Sequence, residues 1–219
     1  MKTSSKLFGG SHILHLTSYE EKKDILEHLY SHTKLTLPEK INRMKLLSNN
    51  NIPVLSNGYY AMAVPNDLDI YLYFTKYRGE KKCFLICRQV GAGFTQPKIL
   101  LLFPDCFDNE IYDETLIEAT RVYATDNRFF ILLTDISWFK GNKISNLNII
   151  ERLKCLGSFM KDSFIENLQS FPFRLQIVTP YEHLNLLEQR LNNLPYKIDR
   201  ILFVPSYRKT ETLYFPLTN

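Results

Sequence analysis

From residue 59 onward the chain consists of short apolar runs rich in Ile, Leu, Phe and Tyr, and this pattern constrains the fold most. Turn-forming segments such as KYRGE, GAGFTQP and TDN separate the runs. Runs of this length and composition between turn signals are typical of β-strands. The predicted strands are YLYFT (71–75), KCFLICRQV (82–90), KILLLF (98–103), TLIEATRVYA (115–124), RFFILLTDISWF (128–139), FRLQIV (173–178) and IDRILFVP (198–205).

Helix signals precede these runs. In SYEE, Ser18 and Glu21 have the spacing of a capping box, and Ile25, Leu26 and Leu29 follow at helical spacing. TLPE (36–39) has the same pattern and precedes Ile41, Met44 and Leu47 at helical spacing. We therefore expect residues 1–52 to form an N-terminal helical segment. It either belongs to the main domain or acts as a separate docking arm.

Further helix signals lie between the last strands. Apolar residues at helical spacing predict a helix from about residue 146. TPYE predicts another, with Thr179 as the cap and Pro180 at the first helical position. Several strands follow one another without an intervening helix, which favours an α+β domain with mainly antiparallel sheets over residues 53–219.

Composition sets broad limits on function. A chain of 219 residues with 45% hydrophobic and 23% charged residues is typical of one globular core. The sequence contains neither a membrane-length apolar run nor a recognisable secretory signal, so we expect an intracellular protein, cytoplasmic or nuclear, without a membrane partner. The four cysteines and five scattered histidines form no metal-site spacing, so we expect free thiols and solvated or hydrogen-bonded histidines. A net charge of +4 permits a polyanionic partner without requiring one.

Lys76 lies between two predicted strands and has two readings. It is either a nucleophile or phosphate ligand, or a polar residue at the end of a strand. GAGF (91–94) matches neither a Walker motif nor GxGxxG, so we do not expect a phosphate loop there.

The segments around and after Lys76 occur in a recognisable order. KYRGEK (76–81) is followed by TLIEATRV (115–122), FFILLTDISWFKGNKI (129–144) and DRILFVP (199–205). This order resembles the nucleotidyltransferase domain of mRNA-capping guanylyltransferases and of ATP- and NAD-dependent ligases. In that family a KxDGxR motif occupies the place of KYRGEK. The resemblance covers roughly residues 53–219.

The resemblance implies twisted antiparallel sheets with flanking helices. In the family, the motif lysine attacks the α-phosphate of a nucleotide in the presence of a divalent metal. Lys76 matches that lysine, and an aromatic residue at 129 or 130 would lie against the base. The residues that the resemblance places at a nucleotide or phosphate site are Lys76, Arg78, Lys81, Phe129, Phe130 and Asp199.

Departures from the family pattern favour a non-catalytic function. Arg78 replaces the motif aspartate, Thr120 replaces a glutamate that serves metal and sugar, and Arg200 replaces a glycine. The final strand, TLYFPLTN, lacks the lysines that bind the α-phosphate in the family, and we expect no OB domain. Losing one charge-stabilising group commonly lowers an enzyme's rate by about 10²–10³.

We therefore expect a degenerate guanylyltransferase-like pseudoenzyme without a cofactor. Like snurportin, it would bind a nucleotide, a cap or an RNA 5′ end, or it would dock in a transcription or mRNA-capping complex with RNA polymerase. One alternative is an active guanylyltransferase that uses Lys76 with Mg or Mn, and another is a ligand-free scaffold. The abundance of lysine, asparagine and tyrosine suggests an AT-rich genome, such as that of a large DNA virus.

Overall fold

The computed structural model describes residues 3–8, 11–37, 44–102, 107–125, 129–164, 172–208 and 210–217. The strands are β1 (Thr3–Phe8), β2 (Ser11–Leu16), β3 (Lys45–Leu46), β4 (Tyr59–Val64), β5 (Leu68–Tyr77), β6 (Glu80–Cys87), β7 (Ile99–Leu102), β8 (Thr115–Tyr123), β9 (Phe129–Phe139), β10 (Asn142–Lys143), β11 (Phe173–Leu175), β12 (Thr179–Pro180), β13 (Arg200–Pro205) and β14 (Leu213–Pro216). The helices are α1 (Tyr19–Thr33), α2 (Ile149–Ser158) and α3 (Leu184–Leu191). Among the described residues, none of the helices is both long and apolar enough to cross a membrane.

The described strands form two sheets. The large sheet has the order β1-β2-β7-β6-β5-β8-β9-β10, with β11 also paired to β9. The small sheet has the order β12-β4-β13-β14-β3. Only the β11–β9 and β14–β3 pairs are parallel among these strands. The structure thus confirms the predicted α+β class with mainly antiparallel sheets.

Side chains alternate between the two faces of the large sheet along its strands. An apolar core covers each face. In β5, Leu72 and Phe74 point into a core that also contains Leu156 of α2. Tyr71 and Tyr73 point into the opposite core, which contains Ile25 and Leu29 of α1. Because a central strand such as β5 is covered on both sides, its sequence is a continuous apolar run rather than a strict alternation.

Helix α2 contacts both sheets. It begins with a capping box in which Asn148 and Glu151 bond each other's backbone N–H groups. Ile149 packs with Met62 and Val64 of the small sheet. Leu156, two turns later, is buried in the core of the large sheet. The predicted helix after residue 146 is therefore confirmed, and it joins the cores of the two sheets.

The helix predicted from SYEE is confirmed as α1, with Ser18 accepting a hydrogen bond from the backbone N–H of Glu21 at 3.4 Å. The helix predictions from TLPE and TPYE differ from the structure. The prediction from TLPE falls partly on residues 38–43, outside the described residues, and it is wrong at 44–47. There Lys45 and Leu46 form β3, since the backbone N–H groups of Lys45 and Leu47 bond the β14 side of the small sheet.

The helix predicted from TPYE begins later than expected. Thr179 is not its cap, because Thr179 and Pro180 form β12 and pair with Ala61 and Tyr60 of β4. A 3₁₀ turn follows over Tyr181–His183, and α3 starts at Leu184. Pairing in the small sheet therefore overrides the local capping signal.

The N-terminal residues contribute strands that the sequence did not predict. Strands β1 and β2 pair along their length, and β2 joins the large sheet through β7. Ile13 and Leu16 of β2 are buried in the cores on the two faces of that sheet. Residues 1–52 therefore supply β1 and β2 to the large sheet, β3 to the small sheet, and α1.

Candidate functional site

The segment KYRGEK forms the end of the β5–β6 hairpin. Lys76 lies directly opposite Lys81, and Tyr77 lies opposite Glu80. Arg78 and Gly79 form the two-residue turn and have φ values of 53° and 79°. Positive φ at both central residues is the requirement of a type I′ turn, whose twist matches that of the flanking strands. The register brings the two lysines together at the edge of the hairpin.

The cations of this hairpin have protein partners in two different places. Lys76 pairs with Asp113, and Lys81 donates to the side chain of Asn109. Arg78 instead contacts α1, where its Nη2 lies 2.8 Å from Oδ2 of Asp24. Lys76 and Lys81 therefore lie together beside the turn before β8, whereas Arg78 contacts a helix on the core side of Tyr71 and Tyr73.

The predicted aromatic residues lie on strand β9. Phe130 is buried in a cluster with Val122 and Leu132, and its ring centroid lies 5.8 Å from that of Tyr196. Phe129 begins β9 opposite Tyr123, and its side chain lies outside the described part of the structure. The buried Phe130 ring fills space between the large sheet and the segment before β13.

Asp199 lines a cavity of about 320 Å³. We call this the crossover cavity, because residues 65–67 carry the chain from β4 in the small sheet to β5 in the large sheet. Tyr123 lies at the end of β8, and residues 197–199 lead into β13. The cavity is lined by Pro65, Asn66, Asp67, Tyr123, Lys197, Ile198 and Asp199. Of the predicted site residues whose side chains the structure describes, only Asp199 lines it.

Asp67 is fixed in the wall of the crossover cavity. Its carboxylate accepts backbone hydrogen bonds from Leu68 at 2.8 Å and from Tyr123 at 3.1 Å. It also lies 3.5 Å from Nη2 of Arg121. Asp67 therefore ties the crossover to the end of β8, and its contacts orient both carboxylate oxygens.

Lys197 and Asp199 also line the crossover cavity. The Asp199 carboxylate accepts a hydrogen bond from Nη1 of Arg200 at 3.0 Å, and its backbone bonds Val64 and Leu217. Both lining aspartates thus contact an arginine, while Lys197 adds a positive charge to the lining. Tyr123 is 56% exposed, so its ring presents apolar surface beside these charges.

A cluster of charged residues also links the two sheets. Arg208 follows β13, and its guanidinium lies 2.8 Å from Asp135 and also contacts Glu118. Asp135 accepts two hydrogen bonds from Arg152 of α2, at 2.8 and 3.0 Å. We call these four residues the charge cluster. Ser137 adds a hydrogen bond to Glu118 at 2.9 Å and accepts one from Arg208.

Within the charge cluster, Arg208 and Glu118 favour each other's ionised form although both are partly buried. Burial opposes ionisation of Glu118, but Arg208, Arg88 and the Ser137 hydroxyl hold the pKa of this carboxyl below its ordinary value. Burial also acts against the charged form of Arg208, yet Glu118 and Asp135 raise the pKa of its guanidinium. The two carboxylates that the large sheet presents here are therefore already neutralised by arginines.

Among the lining residues that were not predicted from sequence, three carry the chemistry proposed below: Asp67, Tyr123 and Lys197. Pro65, Asn66 and Asp67 are turn-forming residues, and they indicate that the chain changes direction there. Tyr123 and Lys197 carry no motif, because they reach the cavity only when β8 and the approach to β13 come together. Tertiary structure, rather than local pattern, assembles this site.

Comparisons with known proteins give no family for this chain, since no family model matches it and neither does any curated protein. The resemblance to guanylyltransferases and ligases therefore rests on the order of the sequence segments.

Proposed function

We propose that this protein is a non-catalytic, guanylyltransferase-like module that binds a nucleotide, a cap or an RNA 5′ end in the crossover cavity. The observation that carries this proposal is the composition of that cavity. An exposed aromatic ring, two oriented carboxylates and a lysine line about 320 Å³ at the crossover between two sheets. Concave sites that combine apolar surface with a few placed polar groups are the usual form of small-ligand sites.

The three kinds of side chain match the three parts of a nucleotide. Tyr123 offers a ring on which a base can stack, an interaction worth about 1–3 kcal/mol per base. Asp67 and Asp199 are hydrogen-bond acceptors, as ribose hydroxyl groups require. Lys197 supplies a charge for a phosphate. Because both aspartates contact arginines, their negative charge is partly offset near the phosphate.

The contacts of Lys76 favour binding over covalent catalysis. A nucleophilic lysine must be deprotonated beside cations that neutralise the phosphates and carboxylates that hold a metal. Lys76 instead forms an ion pair with Asp113 at the exposed end of the hairpin, and this carboxylate occupies its amine. Glu118 and Asp135, the carboxylates on β8 and β9, are engaged by arginines of the charge cluster. A metal would have to displace these arginines.

Isothermal titration calorimetry with GTP, a cap analogue and a short 5′-triphosphate RNA tests the proposal. We expect at least one of them to bind, and Tyr123→Ala to weaken it about 5- to 150-fold through lost stacking. Lys197→Ala should weaken phosphate-bearing ligands most. Tyr19→Ala is the matched control, because Tyr19 is also 56% exposed but lies at the start of α1. Equal loss in both tyrosine variants would contradict the proposed site.

A labelling reaction separates binding from catalysis. The protein is incubated with radioactive GTP or ATP and Mg²⁺ or Mn²⁺, beside the Lys76→Ala variant. We expect no lysine-linked nucleotide in either protein, and unchanged ligand affinity in the variant. A labelled band that depends on Lys76 would establish the active guanylyltransferase instead. If none of the ligands binds or raises the melting temperature, the ligand-free scaffold is the better description.

A further inference from the structure

A second group of side chains with ligand chemistry lies between α1 and the turn before β8. His28 and His32 are one helical turn apart on α1, and Glu114 immediately precedes β8. One nitrogen of each histidine and one carboxylate oxygen of Glu114 all lie within 4.8 Å of one another. We propose that these three residues bind a divalent transition-metal ion, and that Zn²⁺ fits them best. This inference does not depend on the proposed nucleotide site.

The donor set favours zinc. Two imidazole nitrogens and one carboxylate suit Zn²⁺ and its d-block neighbours, whereas Ca²⁺ and Mg²⁺ prefer all-oxygen ligands. Zinc sites with three protein ligands keep a fourth position for water or a further ligand. In a tetrahedral site with bonds of about 2.0–2.1 Å, the donor atoms are about 3.3 Å apart. The present separations are within 4.8 Å, so the three side chains would move closer together on binding one ion.

Buried hydroxyl groups hold Glu114 in position. Tyr73 donates to Oε2 of Glu114 at 2.5 Å, and Thr75 donates to Oε1 at 2.6 Å. Both donors lie on β5 and are fully buried. Each carboxylate oxygen has two lone pairs, so one on each oxygen is left for a cation. Glu114 also has a left-handed φ of 56°, a conformation that is uncommon for residues other than glycine.

Hydrogen bonds also orient both histidine rings. Nδ1 of His32 lies 2.9 Å from the carbonyl oxygen of His28, which can only accept. Nδ1 of His28 lies 3.0 Å from the hydroxyl oxygen of Tyr73, whose proton is donated to Glu114. In each ring Nδ1 makes this contact, which leaves Nε2 for a metal ion. Metal-binding histidines typically have this outer contact from the second nitrogen.

The sequence could not predict this site, because Glu114 is distant in sequence from the two histidines. The β5 strand brings them together, since Tyr73 contacts His28 on one side and Glu114 on the other. A bound ion would link α1 to the turn before β8. This link would add to the apolar contacts that Ile25 and Leu29 of α1 make with the large sheet. Metal binding should therefore stabilise the folded protein.

Titration of the chelator-treated, full-length protein with ZnCl₂ in a calorimeter tests the inference. We expect one ion per chain at this site and a higher melting temperature with zinc. His32→Ala should raise the zinc Kd at least about tenfold, and Glu114→Gln should do the same while keeping the size of the side chain. His32 is exposed, so its replacement leaves the fold intact, which far-UV circular dichroism verifies.

His183→Ala is the matched control, because His183 is another exposed histidine and lies in the turn before α3. Its zinc Kd should equal that of the unmodified protein. With CoCl₂, we expect visible absorption bands of a four-coordinate nitrogen and oxygen site, and their loss in His32→Ala and in Glu114→Gln. Equal zinc affinity and equal cobalt spectra in the unmodified protein and these two variants would overturn the proposed site, as would the absence of zinc binding.

Discussion

The substitution Asp135→Ala removes the carboxylate that Arg152 and Arg208 share. Arg152 donates two hydrogen bonds to this carboxylate, and only 2% of its surface is exposed. In the variant, its guanidinium keeps the hydrogen bond from Nη1 to the carbonyl oxygen of Leu147, at 2.5 Å, but loses its counter-charge. A buried cation without its partner is strongly destabilising, because its desolvation is no longer offset.

The expected loss of stability is about 3–5 kcal/mol, the usual effect of removing one partner of a buried ion pair. The two hydrogen bonds from Arg152 alone give a similar figure, at about 1.5–3 kcal/mol for each bond to a charged group. Arg208 adds less, because a third of its side chain is exposed and it can turn towards water. For a chain of 219 residues this corresponds to a fall in melting temperature of about 6–20 °C.

Urea unfolding at pH 7, followed by far-UV circular dichroism, measures this loss. Glu211→Ala is the control, because the pair of Lys45 and Glu211 is 59% exposed on both sides and should contribute less than about 1 kcal/mol. Adding Arg152→Met to Asp135→Ala should restore part of the stability, since the buried charge is then absent. A loss in Asp135→Ala no larger than in the control, or no recovery in the double variant, would refute this reasoning.

Three further variants test the charge cluster, the β5–β6 turn and helix α2. Arg208 and Arg88 lower the pKa of Glu118 against the opposing effect of burial. The ionised carboxylate therefore adds to the free energy of unfolding at pH values above its ordinary pKa of 4.5. This contribution is lost as the pH falls through the lowered pKa. Glu118→Gln should therefore flatten the acid side of the pH dependence of the urea midpoint. Gly79→Ala should cost about 1–2 kcal/mol, because φ is 79° there. Gly157→Ala in α2, where a Cβ meets no described atom within 4 Å, should gain about 0.5–1 kcal/mol. A loss in Gly157→Ala as large as in Gly79→Ala would contradict this contrast.

The central strands could be predicted from sequence because they are buried on both faces and joined by local turns. KYRGE illustrates this, since its glycine supplies one of the two positive φ values that a tight hairpin needs. Strands β5, β6, β8 and β9 follow the predicted runs, with boundaries that differ by a few residues. Here the local pattern and the final pairing agree.

Two of the strands that were missed, β3 and β12, depend on partners distant in sequence. Strand β3 has two residues and exists because it lies beside β14, and β12 exists because Thr179 and Pro180 lie beside β4. Such short segments have too few residues for a periodic signal, and Thr179 carries a misleading helix-cap signal. Non-local pairing therefore outweighs local preference in the small sheet.

In the candidate site too, the sequence identified some residues but could not predict which of them come together. Asp199 was identified because it stands in an ordered series of motifs, and it lines the crossover cavity. The resemblance also drew attention to Lys76, although the register of the β5–β6 hairpin places that residue at an exposed end beside Asp113. A sequence motif identifies a residue of the right type, but it does not show which cleft the residue faces. The cleft is formed by strand pairings between segments that are distant in sequence.

The contacts around the crossover cavity and the contacts of the charge cluster join the two sheets at different places. Asp67 fixes the crossover to β8 through the Tyr123 backbone and Arg121, so the cavity wall is formed before a ligand arrives. The charge cluster joins the loop after β13 to β8, β9 and α2, and none of its four residues lines the cavity. Weakening the charge cluster with Asp135→Ala should therefore lower stability while leaving ligand affinity unchanged at temperatures where the protein is folded. Tyr123→Ala should do the reverse, because an exposed ring contributes little to the core but much to stacking.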